Sequence, residues 1–83
     1  MSDFALHLRD NAASPMNYKV VFSRNEVMVC KPTTTPLPAN HLGDIYYEHD
    51  PAKKMLIYAI IRASNEDEAL NAARQLAQTY STN

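Results

Sequence analysis

Glycine is almost missing from this chain: Gly43 stands alone among 83 residues. Phosphate-cradling loops, dinucleotide-binding turns and nucleophile elbows need several glycines, where backbone must turn sharply or approach a ligand closely. Composition therefore argues against all three. Cysteine is as scarce. Cys30 cannot close a disulfide within the chain, and inside an apolar run it reads as a small buried hydrophobe. Charge of one sign is lacking too. Eight Lys and Arg against nine Asp and Glu leave −1 at pH 7, so bulk charge draws the chain to neither nucleic acid nor acidic lipid. The longest apolar run, Met55–Ile61, falls far short of the ~20 residues that span a bilayer. The opening "MSDFALHLRD" shows no charged leader ahead of an apolar core, so no signal peptide is read and the cytoplasm is the expected location.

What is present suits a folded protein. The apolar share is 46% and the charged share 20%, which fits one small domain, residues 1–83. "NYKVVFSRNEVMVCK" reads as a hairpin: Tyr18–Phe22 and Val27–Cys30 flank a polar turn in which Asn25 tolerates the left-handed conformation. Residues 32–43 hold Pro32, Pro36, Pro38 and Gly43, and read as a loop. "DIYYE" and "KKMLIYAII" flank "HDPA" and read as a second hairpin, with Asp50-Pro51 opening the turn.

The polar knot "SNEDE" reads as a helix start. Ser64 or Asn65 offers a capping oxygen, and Glu66, Asp67 and Glu68 place negative charge at the positive end of the helix dipole. Behind it Ala69, Leu70, Ala73, Leu76, Ala77 and Tyr80 recur at helical spacing. Residues 2–14 fit either a short helix or a strand. The expected class is α+β: an antiparallel sheet of three to four strands, from two hairpins, packed against a C-terminal amphipathic helix. A short N-terminal helix is the preferred reading of the opening segment.

"SNEDEALNAARQLA" also resembles the last helix of a double-stranded RNA-binding domain. That resemblance implies lysines at the helix start to meet phosphate. Here Asn65, Glu66, Asp67 and Glu68 stand there, and the acids would repel it.

Chemical motifs are thin. His41, Asp44, Glu48, His49 and Asp50 crowd one stretch, but neighbouring strand residues point to opposite faces, and no spacing converges them on a metal. No histidine has a nucleophile near it in sequence. No cofactor, metal, small-molecule substrate or membrane is expected, and the chain is read as a non-enzyme. Tyrosines 18, 46, 47, 58 and 80, with Lys19, Lys31, Lys53 and Lys54 on or beside the same strands, offer stacking platforms for single-stranded nucleic acid.

The strand pattern carries more. A sheet with one wet face alternates apolar and polar residues, and these strands do not. Strict period two puts Leu56, Tyr58 and Ile60 on one face, and Met55, Ile57, Ala59 and Ile61 on the other. The helix can cover only one face. The other needs the N-terminal segment, the proline loop or another polypeptide. The reading that follows is a small non-catalytic protein–protein interaction or regulatory module, self-associating or docking on a protein partner. Met28, Ile57, Ile61 and the loop residues Pro36 and Leu37 are the expected contacts. A single-stranded nucleic-acid binder using a tyrosine-bearing sheet face is the alternative.

Overall fold

A computed structural model describes residues 15–81; the choice between helix and strand for residues 2–14 lies outside them. Four strands and one helix follow in order: β1 Met16–Ser23, β2 Glu26–Pro32, β3 Ile45–Asp50, β4 Met55–Ala63 and α1 Glu66–Ser81. The strands form one antiparallel sheet in the order β2-β1-β4-β3, so the two hairpins join through the central pair β1–β4. The expected α+β architecture is the one observed.

Each connection has a local cause. In the β1–β2 turn both Arg24 and Asn25 sit at positive φ, 55° and 62°, which matches the right-handed twist of a two-residue hairpin. Asn25 also ties the two hairpins together. Its Oδ1 accepts the backbone N–H of Leu56 (2.8 Å), and its Nδ2 donates to the carbonyl of Lys54 (3.3 Å). At the other turn Asp50 Oδ1 accepts N–H groups from Ala52 and Lys53. That turn lies at 51–54, two residues beyond the predicted "HDPA", with Lys54 in the left-handed region.

The proline segment is long for a topological reason. β2 and β3 lie at opposite edges of the sheet, so residues 33–44 must travel three strand spacings, about 14 Å. Asn17 fastens the loop's first half: its carbonyl accepts from Thr33 N–H, and its Nδ2 donates to the Thr35 carbonyl. The Asp44 carbonyl accepts Arg62 N–H and docks the second half. Pro32 belongs to β2 and not to the loop. It is tolerated there because β2 is an edge strand and no neighbour needs its missing donor.

Asn65 caps α1: its Oδ1 accepts Glu68 N–H (2.8 Å), while the Glu68 carboxylate reaches back to Ser64 N–H (2.8 Å). Ala69, Ala73 and Ala77, one per turn, are the helix's fully buried residues. Their small side chains let the helix lie close on Tyr18, Val20 and Phe22 of β1, and on Leu56, Ala59, Ile61 and Ala63 of β4. The helix spans β2, β1 and β4, and no Cα of α1 comes within 8 Å of a Cα of β3.

The period-two assignment of β4 is corrected by a β-bulge. Glu48 pairs with Tyr58 but His49 pairs with Leu56, so Ile57 is an extra residue. The bulge resets the alternation. Leu56 (3% exposed) joins Ala59, Ile61 and Ala63 under the helix, while Tyr58, Ile60 and Arg62 point away from it. A second bulge, at Met28, lies between Val21 and Phe22 of β1 and resets β2 in the same way: Val27 faces the core, and Val29 sits opposite Val21 on the far side.

Candidate interaction surface

The face turned away from α1 can be laid out strand by strand. Val29 and Lys31 come from β2, Lys19 and Val21 from β1, Tyr58, Ile60 and Arg62 from β4, and Tyr46 and Glu48 from β3. One half is a row of rings. His41, from the loop, meets Tyr46 edge-on at 5.6 Å; Tyr46 meets Tyr58 at 6.4 Å; and Lys19 Nζ lies 5.2 Å from the Tyr58 ring centre. The other half, around the two bulges, is apolar and open: Val21 (37% exposed), Val29 (41%), Met28 (63%), Met55 (38%) and Ile57 (49%).

Of the residues expected to contact a partner, Ile57 belongs to this open half, and Met28 stands at its rim on the edge strand, where it also lines the groove between β2 and α1. Ile61 does neither. It is 1% exposed beneath the helix, because the bulge at Ile57 puts the two on different sides. In the loop Pro36 is exposed and Leu37 half-buried. Val21, Val29 and Met55 complete the apolar row and were not singled out from the sequence. Met55 follows from its place before the bulge, and the two valines stand out only once their cross-strand partners are known.

The tyrosines divide among three places. Tyr18 is in the core. Tyr46 and Tyr58 share the open face. Tyr47 and Tyr80 meet on the helix side at the β3 edge, with ring centres 6.3 Å apart. There His49 lies 5.4 Å from Tyr80, and its Nδ1 shares a 2.5 Å hydrogen bond with the Tyr80 hydroxyl. These rings, with Pro51 and Lys54, line a hollow of ≈ 330 Å³. A wider groove, ≈ 580 Å³, separates β2 from α1, lined by Val27, Met28, Cys30, Glu66, Leu70 and Arg74 among others.

Several titratable residues have structural partners. His41 Nε2–H donates to the Ile45 carbonyl (2.6 Å). Cys30 is half-buried, and its thiol pKa is raised, chiefly by desolvation and then by the Glu66 carboxylate, which disfavours the reactive thiolate. Among the described residues no three His, Cys, Asp or Glu side chains gather as a metal site, and no helix is long and apolar enough to cross a membrane. Comparison with known protein families, characterised proteins and solved structures returns no match.

Proposed function

We propose that this chain is a small non-catalytic module that binds protein, with the apolar half of its open face as the contact surface. The observation that supports this reading is the cluster Val21, Met28, Val29, Met55 and Ile57, spread over three adjacent strands and exposed together. Apolar side chains gathered in this way on a small domain mark interaction sites more often than chance exposure does. The partners already taken up by His41 and His49, and the raised thiol pKa of Cys30, favour binding over catalysis.

Single-stranded nucleic acid fits this face less well. Only Tyr46 and Tyr58 are available on it, and the Lys19 ammonium already lies over the Tyr58 ring that a base would stack on. Salt separates the two readings. A protein contact made by the apolar row persists as salt rises, and is lost in Ile57→Glu and Met28→Glu variants that keep wild-type circular dichroism. Binding of a fluorescent single-stranded oligonucleotide that weakens steeply with salt, and is indifferent to those substitutions, would reverse the choice.

A further inference from the structure

The two edges of the sheet are unequal. β2 is defended as edge strands usually are: the Met28 bulge breaks its outer rail, and Lys31 and Pro32 close its end. β3 has none of these. It contains no lysine, arginine or proline, and the bulge beside it sits on β4, so its own backbone stays regular from Ile45 to Asp50.

Hydrogen-bond alternation shows which of its groups face out. Arg62 N–H donates to the Asp44 carbonyl, so that pair is bonded. In an antiparallel ladder bonded and non-bonded pairs alternate. Tyr46 and Glu48 therefore bond inward to β4, while Ile45 and Tyr47 turn their N–H and C=O groups outward. His49 does the same. Its partner Leu56 sends its N–H to Asn25 and not to β3. The outward carbonyl of Ile45 takes a hydrogen bond from His41. The helix backbone stays clear of this edge, but its Tyr80 reaches the flank and meets His49 and Tyr47, and Tyr47 there is still 40% exposed.

We propose that β3 pairs antiparallel with β3 of a second copy of this chain, about a two-fold axis through Tyr47. Self-complementarity points to this occupant and this register. Centring on Tyr47 makes Tyr47 exchange two hydrogen bonds with its mate, and sets Ile45 opposite His49 of the partner copy, so every outward group of the strand meets one of the opposite kind. On the open face Tyr46 falls opposite the partner's Glu48, a phenol beside a carboxylate. Shifting the centre by one residue to Glu48 would set the two Glu48 carboxylates against each other, and shifting it to Tyr46 would set each Glu48 against Asp44 of the other copy. On the helix side the axis joins two Tyr47–His49–Tyr80 clusters, closing the flank of that edge. The product is a continuous eight-stranded sheet with both helices on one side and both open faces on the other. Strand-edge pairing buries less than the roughly 1,600 Å² of a standard interface, so the pairing should depend on protein concentration. At its ends the pairing must share the Ile45 carbonyl with His41.

The inference rests on the sheet edge and is independent of the open-face reading. Its test is native mass by light scattering across protein concentrations, for wild type, Tyr47→Pro, Tyr47→Lys and Val29→Glu. The ladder alternation leaves the Tyr47 N–H without a partner among the described residues, so proline there removes the intermolecular donor together with the ring that meets His49 and Tyr80; lysine keeps the N–H and puts a charge at the same point of the edge. Expected is a mass that doubles with concentration in wild type and Val29→Glu, and stays single in both Tyr47 variants. Amide exchange at Tyr47 and His49 should slow as concentration rises. A wild type that stays monomeric at millimolar concentration, a dimer that survives both Tyr47 changes, or one abolished by Val29→Glu alone, overturns the proposal.

Discussion

Ile57 and Ile61 are the same residue type, four positions apart on one strand, and unbroken alternation would give them the same surroundings. The bulge makes them opposites, and their truncation energies should record it. Ile61 is 1% exposed in the core. Ile61→Ala removes three carbons, about 2.4 kcal/mol at ~0.8 kcal/mol each. It also leaves a cavity between α1 and the sheet, bringing the loss to about 3–4 kcal/mol. Ile57 is 49% exposed, so Ile57→Ala forfeits about half the transfer term and opens no closed cavity, roughly 1 kcal/mol. A domain of this size shifts its melting midpoint by about 4–8 °C per kcal/mol. Ile61→Ala should then melt at least ~12 °C below wild type, and Ile57→Ala within ~8 °C of it. Urea titrations monitored by circular dichroism give the free energies directly, provided the slopes agree. Equal losses at the two positions would mean that the alternation is not reset at Ile57, and the layout of the open face would fall with it.

Asn25 bridges the hairpins through its side chain and holds a positive φ of 62°. Asn25→Ala should cost about 2–3 kcal/mol in the same titration, from an unsatisfied Leu56 N–H and a strained turn. Asn25→Gly relieves the strain but not the orphaned donor, so a glycine variant as stable as wild type would rule out the bridge as a stabilising contact. Cys30 gives a pH signature. Its folded thiol pKa lies above the ordinary 9.0, so its contribution is intact below that value and is lost as pH rises through the folded pKa. Wild type should lose stability above about pH 9 faster than Cys30→Ala, and iodoacetamide should label the native thiol more slowly than the unfolded one at pH 8. Parallel stability curves would refute the shift.

Local signals in this sequence were legible because they are held by local chemistry. Asn65 and Glu68 cap the helix within four residues, Asn25 shapes its own turn, and the alanine repeat at 69, 73 and 77 needs only helical periodicity. Strand order was not legible. Nothing in residues 16–63 announces that β1 pairs with β4 and leaves β3 at an edge, since that follows from which surfaces pack best across about forty residues of chain. The two bulges were hidden for a related reason. A run such as "MLIYAII" contains no glycine or polar break at Ile57, so period two reads straight through it. Of the candidate contacts, Met28 and Ile57 are exposed, each at a bulge, and Ile61 is buried because it lies beyond one.

The same bulges tie the two proposed surfaces together. A bulge increases local twist and leaves one residue unpaired. The one on β2 places Met28 at the rim of the sheet and spoils that edge as a template. The one on β4 lies inside the sheet, turns Ile57 toward solvent and leaves the rail of β3 intact. One device thus blunts the wrong edge, keeps the other edge open and exposes apolar side chains on the face away from the helix. Pairing through β3 about an axis perpendicular to the sheet would set two such apolar rows on one side of a single platform. A partner with two matching sites would then bind more tightly than one with a single site, by an effective-concentration factor of about 10²–10⁴. Restricting the chain to a monomer with Tyr47→Lys should remove that gain while leaving the single-site affinity unchanged.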